Sequence, residues 1–180
     1  MSISADFEYD YLSEEILSKL EEEQHLSKNK PKVDDVYYYR VHYSDFLYSV
    51  IDGDLEQARQ IIELNPSIYI SSQNERVFRE ACYHGRFEVA SWLLVIKPNI
   101  YISAYNEYAF RNACKNGHLK IAKWLLKIRP TINISAGNHD AFRSACKNGR
   151  LEVAMWLKSL YPNKYSVQIF DNKIFSYNVL

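Results

Sequence analysis

The chain has 180 residues, 47% of them hydrophobic, and its 22 basic and 22 acidic side chains leave no net charge. It is long enough for one domain with a substantial core. No apolar run reaches the roughly 20 residues of a membrane-spanning helix, and the first residues lack the features of a secretory signal, so we expect an intracellular protein without a membrane span.

Residues 1–41 are acidic and show no internal pattern. Ser13 is suited to cap a helix, with Glu14 and Glu15 in its first turn. The stretch 27–32, rich in lysine and containing Pro31, has the composition of a linker. We interpret 1–41 as an acidic N-terminal helix and linker that cap the domain. The alternative is that this helix docks a second protein, as in an adaptor.

From residue 42 the sequence repeats with a fixed period. Asn74, Asn106 and Asn138 begin three closely similar blocks. Further columns with this spacing are Phe46, Phe78, Phe110 and Phe142; Gly53, Gly85, Gly117 and Gly149; and Pro66, Pro98, Pro130 and Pro162. A period of about 32 residues is typical of a stacked repeat array. We predict four units, 42–73, 74–105, 106–137 and 138–169, followed by a C-terminal cap at 170–180.

The third unit illustrates the predicted helix pair. Ala109, Phe110, Ala113 and Cys114 form one apolar stripe of a first helix, which Gly117 ends. A second, mostly apolar helix follows and stops before Pro130. Helices this short are marginal alone, so stacking must stabilise them. We expect a tryptophan column to fill the seam to the next unit; its members are Trp92, Trp124 and Trp156.

The unit resembles the ankyrin repeat, which has a period of about 33 residues. The Ala-Cys, Gly-His and Leu-Leu steps between Tyr108 and Leu126 match the family signature, whereas its Thr-Pro opening is absent. The sequence of the repeats is similar to that of ankyrin proteins of giant DNA viruses of amoebae (mimivirus-like). The resemblance implies an all-α ankyrin-repeat solenoid with helical or irregular caps. It also implies a viral protein-protein interaction module that acts on a host protein in the host cytoplasm.

Reactive side chains are present, but their spacing argues against catalysis. Cys82, Cys114 and Cys146 lie one period apart, too far for a disulfide, and fit small buried packing positions. No cysteine–histidine group supplies the four ligands of a structural zinc site, and no catalytic or phosphate-binding motif is present. We therefore predict no enzyme activity, no cofactor and no metal.

A column of arginines follows the phenylalanine column directly, as Arg79, Arg111 and Arg143. We expect these side chains to lie on the core and to bond backbone carbonyls of the adjacent turn. Bidentate binding of an acidic ligand is the alternative.

The family resemblance places a partner on the finger turns and the exposed side of the first helices. At those positions the units differ, as recognition requires. The predicted partner-binding residues are Tyr43, Gln73, Glu75, Glu80, Tyr83, Tyr105, Glu107, Asn112, Lys115, His139, Ser144 and Lys147.

An uneven charge distribution suggests two other functions. Residues 1–105 carry 18 acidic and 10 basic side chains, whereas residues 106–164 carry 3 and 11. The basic side chains of the last two units could bind nucleic acid or another anionic surface, although a solvated outer face explains them more simply. They include Lys115, Lys120, Lys123, Lys127, Arg129, Lys147, Arg150 and Lys158. Weak head-to-tail self-association of an otherwise monomeric protein is the remaining possibility.

Overall fold

The computed structural model describes residues 33–66, 68, 70 and 72–180. The helix predicted near Ser13 and the linker at 27–32 lie outside the described residues. The helices are α1 (Val33–Asp52), α2 (Leu55–Leu64), α3 (Ser72–Tyr83), α4 (Phe87–Ile96), α5 (Ala104–Asn116), α6 (Leu119–Ile128), α7 (Ala136–Lys147) and α8 (Leu151–Leu160). Two strands follow, β1 (Tyr165–Phe170) and β2 (Lys173–Val179).

The described helices repeat with the period of the sequence. The second helices begin at Leu55, Phe87, Leu119 and Leu151, each one full period after the one before. Each first helix contacts the second helix of its own unit, and each of the first three also contacts the first helix of the next unit. The predicted all-α repeat solenoid is therefore confirmed. Helix α1 is longer than the other first helices and crosses the predicted boundary at residues 41 and 42.

Aromatic pairs fill the seams between units. Each tryptophan contacts the phenylalanine of the preceding unit, with ring centres 6.3–6.4 Å apart; the pairs are Phe46–Trp92, Phe78–Trp124 and Phe110–Trp156. The predicted direction, towards the next unit, was wrong, because each tryptophan packs on a first-helix phenylalanine of the unit before. The first unit has the exposed polar residue Gln60 at this position, where the described structure has no earlier unit to cover.

A second column links each unit to the backbone of the unit before. A basic side chain just before each second helix donates to a carbonyl 35 residues earlier: Arg86 Nε to Ile51 O at 2.7 Å, His118 Nε2 to Tyr83 O at 3.0 Å and Arg150 Nε to Lys115 O at 3.4 Å. In the first unit the corresponding residue is Asp54. Its carboxylate instead caps its own helix by accepting from the backbone N–H of Gln57 at 2.9 Å.

The glycine that ends each first helix makes room for this basic side chain. Gly85 has φ +77°, and a Cβ placed on it would lie 2.7 Å from the imidazole of His118. Gly149 has φ +66°, but no atom lies within 4 Å of the corresponding position. The glycine column is therefore needed for backbone geometry in the last unit and, at Gly85, also for contact between units.

A β-hairpin covers the last helix pair, where we expected a helical or irregular cap. Strands β1 and β2 are antiparallel and joined by Asp171 and Asn172, both with positive φ, as in a tight hairpin turn. Tyr165 stacks on Phe142 with ring centres 4.1 Å apart. The cap begins at Tyr165, inside the predicted fourth unit, because this tyrosine takes the place that the next tryptophan would occupy.

Alanine substitutions at two glycines should separate backbone strain from contact between units. Gly149→Ala should lower the unfolding free energy by about 1 kcal/mol, the cost of a left-handed residue with a side chain. Gly85→Ala should cost about 1 kcal/mol more, because the imidazole must leave the carbonyl of Tyr83. Urea denaturation of both variants measures this difference. In a His118→Ala background Gly85→Ala should cost no more than Gly149→Ala. A larger cost that persists in this background would contradict the proposed contact.

The protein should lose stability as the pH falls below about 6.5. Burial lowers the pKa of His118 and of His139 from the ordinary value of 6.5. The unfolded chain then takes up protons before the folded chain does, so acid favours unfolding. Denaturation at a series of pH values tests this effect. His118→Arg, which introduces the residue found at Arg86 and Arg150, should flatten the dependence; an unchanged slope would exclude His118 as a cause.

Candidate partner-binding surface

The bounds of α5 and α7 each include a short finger turn near the N-terminus, and this turn has an unusual backbone. Tyr105, Asn106 and Glu107 have φ between +53° and +62°, and residues 137–139 have the same conformation. L-residues in this region cost roughly 1–2 kcal/mol each, so other contacts must hold the turns. Asparagine tolerates left-handed geometry better than most residues, which explains the asparagine column of the sequence.

Arginines of the predicted column stabilise two of these turns. Arg79 Nε donates to the carbonyl of Asn74 at 2.9 Å, and Arg111 Nε donates to the carbonyl of Asn106 at 2.8 Å. Both carbonyls belong to left-handed residues. The predicted bond to the adjacent turn is therefore confirmed for Arg79 and Arg111.

Two glutamates that we expected on the exposed finger turns are buried, so that expectation was wrong. Glu75 and Glu107 are 8% and 7% exposed. Each carboxylate accepts a hydrogen bond from a backbone N–H near the end of its own unit, in the segment that leads to the next finger turn. The donors are Tyr101 for Glu75 and Asn133 for Glu107, both at 3.2 Å. These side chains therefore point into the protein, where each links the start of its unit to the segment that precedes the next finger turn.

Other predicted exposed positions also contribute to packing. Tyr43 is 1% exposed and belongs to the core, and the buried Asn112 donates to the carbonyl of Tyr108 at 3.1 Å. Exposure was therefore predicted wrongly for both. His139 is half-buried, with Nδ1 3.0 Å from the hydroxyl of Tyr165. His139 and Tyr165 are 26 residues apart in the sequence. Each glutamate is separated from its backbone donor by the same number of residues.

The remaining predicted residues do reach the surface. Tyr105 is 58% exposed, and Lys115 and Lys147 are exposed. Partly exposed are Glu80, Tyr83 and Ser144. The side chain of Gln73 lies outside the described part of the chain.

Arg79 contacts two tyrosines at the boundary with the next unit and forms a surface cluster with them. Its guanidinium carbon lies 4.6 Å from the ring centre of Tyr105 and 4.8 Å from that of Tyr108, close enough for cation–π attraction to both. Burial, and secondarily the charge of Glu80, raises the pKa of Tyr108, so its hydroxyl stays protonated at neutral pH. We call Arg79, Tyr105 and Tyr108 the arginine–tyrosine cluster. The sequence did not reveal it, because its members occupy three different columns.

A cleft lies at the other end of this surface, between α7 and β2. Its volume is about 370 Å³, and its lining includes the predicted residues Ser144 and Lys147. Sequence reasoning missed the contribution of Tyr177, because a hairpin was not expected at this end.

The cysteines are free and buried, as small packing residues would be. Burial raises the pKa of Cys82 and Cys114 far above its usual range and that of Cys146 to about 12, so all three stay protonated at neutral pH. Across residues 33–66, 68, 70 and 72–180, no group of three or more His, Cys, Asp or Glu side chains is arranged to hold a metal. None of the helices described above is long and apolar enough to cross a membrane.

Paired short helices, a fixed period and a varied surface of turns and first helices define a helical repeat protein. The family model described as Ankyrin repeats (3 copies) matches residues 78–168. The chain therefore belongs to the ankyrin-repeat family, whose members are generally protein-interaction modules and typically non-enzymatic scaffolds.

One solved structure similar to this chain is that of an ankyrin repeat family protein from Legionella pneumophila, at 30% sequence identity and a TM-score of 0.59. The similarity covers 64% of this chain and 36% of the Legionella chain. No curated protein matches the sequence.

Substitution of a buried residue of the predicted set should lower the stability of the fold, whereas substitution of an exposed one should leave it almost unchanged. Glu107→Ala should lower the unfolding free energy by about 1–2 kcal/mol, because the backbone N–H of Asn133 loses its acceptor. Lys115→Ala should change it by less than about 0.5 kcal/mol. Thermal and urea denaturation measure both effects. Equal stability of the two variants would contradict a structural role for Glu107.

Proposed function

We propose that this chain is a non-catalytic module that binds a segment of a host protein on the surface formed by its turns and first helices. The observation that best supports this proposal is the arginine–tyrosine cluster. Tyr105 is exposed, yet the left-handed turn and Arg79 fix its position. A large aromatic side chain held in place before binding loses little conformational freedom when a partner covers it, which is typical of interface anchors.

The proposed setting is a viral protein in the host cytoplasm. The likeness of its repeats to ankyrin proteins of giant DNA viruses of amoebae supports this origin. Non-catalytic action is supported by the state of the three buried thiols, which stay protonated and are therefore poor nucleophiles.

Nucleic-acid binding through the last two units remains the alternative. Some of the basic side chains already have contacts within the protein. Lys120 Nζ lies 3.1 Å from a carboxylate oxygen of Glu88, and the guanidinium carbon of Arg129 lies 5.5 Å from the ring centre of Tyr101. These contacts reduce the charge available for phosphates and support the protein partner. An adaptor role for the N-terminal helix concerns residues outside the described part.

Capture from amoebal lysate tests the proposed surface. The Tyr83→Ala/Tyr105→Ala variant should retain a partner at least about tenfold more weakly than the unmodified protein, since loss of anchor residues commonly costs more than about 1 kcal/mol. The matched control is Leu64→Ala/Val95→Ala, which removes two exposed apolar side chains from second helices. This control should capture the same protein in the same amount as the unmodified chain. Equal capture by all three proteins would rule out this surface.

Amine cross-linking locates the contact independently. Cross-links to the captured protein should start from Lys115 and Lys147 on first helices and not from Lys123 and Lys127 on α6. The opposite pattern would place the partner on the second helices. Saturable binding of mixed-sequence DNA or RNA that weakens steeply between low and physiological salt would favour the nucleic-acid alternative.

A further inference from the structure

The cleft between α7 and β2 contains charge that the protein itself does not neutralise. One face of α7 supplies Asp140, Arg143, Ser144 and Lys147, the left-handed turn near the start of α7 supplies Asn138, and the hairpin supplies Tyr177. Spacing of three and four residues places these α7 side chains on one face of the helix. The cleft is therefore formed jointly by the last unit and the hairpin.

The single acidic side chain of the cleft lining is already paired. One oxygen of Asp140 lies 2.6 Å from Arg111 Nη1, and the other accepts from the Ser144 hydroxyl at 2.7 Å. Arg143 and Lys147 are exposed, and neither has a carboxylate partner within the described residues. Two cations of the cleft are thus left without a counter-charge.

Comparison along the arginine column explains why Arg143 differs. Arg79 and Arg111 are held by their own turn and by a residue near the start of the next first helix, Tyr108 for Arg79 and Asp140 for Arg111. One period after Asp140 the chain has Asn172, in the turn of the hairpin. Because the hairpin replaces a fifth unit, Arg143 has no corresponding partner from a following helix.

We propose that this cleft binds the carboxylates of an acidic segment of the protein partner, an inference that rests on the proposed function. A guanidinium matches a carboxylate with two parallel hydrogen bonds, and Lys147, one helical turn away, receives a second carboxylate. The amide of Asn138 and the hydroxyl of Tyr177 can bond the backbone of the same segment. Nucleic-acid binding draws its affinity from the neutralisation of several phosphates along an extended backbone, whereas the two free cations of the cleft lie one helical turn apart and match a short acidic segment.

NMR titration of the 15N-labelled full chain tests the cleft. The probe is a capped peptide of alternating Glu and Ala, and its control is the same peptide with Gln in place of each Glu. The Glu peptide should shift the amide signals of Asn138, Ser144 and Tyr177 saturably, whereas the Gln peptide should not. Equal binding of both peptides, shifts confined to other regions, or no saturable binding would overturn the inference.

Two variants with the same loss of charge distinguish the cleft from general attraction. Arg143→Gln/Lys147→Gln should weaken binding of the Glu peptide about tenfold or more. Lys123→Gln/Lys127→Gln removes two exposed cations with the same spacing from α6 and should weaken it less than about twofold. Equal weakening by both variants would mean attraction by net charge alone and would overturn the inference.

The Tyr83→Ala/Tyr105→Ala variant separates this inference from the proposed function. It should still bind the Glu peptide, because its substitutions lie outside the cleft. If partner capture needs the two tyrosines but the Glu peptide does not bind, the proposed function stands and the cleft inference fails. If the peptide binds but Arg143→Gln/Lys147→Gln captures the partner undiminished, the acidic segment is not part of the partner's contact, and the inference is likewise overturned.

Discussion

Contact between successive units is the constraint on which the rest of the structure depends. The second helices of all four units have ten residues, too few to be stable in isolation. A phenylalanine of one unit therefore packs on a tryptophan of the next, and a basic side chain donates to a carbonyl of the unit before. In the second and third units a carboxylate also accepts from a backbone N–H in the segment that leads to the next finger turn. All three contacts recur with the period of the chain, because the units have the same geometry.

The ends of the row differ from its middle, because within the described residues no further repeat unit flanks them. In the first unit Gln60 replaces the tryptophan, and Asp54 caps its own helix in place of a bond to an earlier carbonyl. At the other end the hairpin supplies substitutes. The ring of Tyr165 stacks on Phe142, as the tryptophan of a following unit would. Its hydroxyl forms a hydrogen bond with His139, at the position of the glutamates in the earlier units. Arg143 is the residue for which no substitute exists among the described residues, and the cleft beside it follows from that interruption of the repeat pattern.

Sequence variation at the surface had two different causes that the sequence could not separate. Positions 75, 107 and 139 vary because different side chains bond the segment that leads to the next finger turn or the hairpin, and not because they contact a partner. Tyr105 varies between units and is exposed, which is the pattern expected of a recognition residue. Variation alone predicts neither role, since burial depends on the direction in which the left-handed turn sends each side chain.

The sequence by itself determined the helix pairs, their period, the glycine helix ends and the solenoid, because these depend on local apolar spacing and on stop residues that recur once in every unit. It also predicted the backbone bonds of Arg79 and Arg111. Only the tertiary structure decided which neighbour each tryptophan covers, that the glutamates are buried, and that a hairpin ends the row. Those outcomes depend on the relative orientation of units and on left-handed backbone in the turns, and neither is encoded in the spacing of apolar residues.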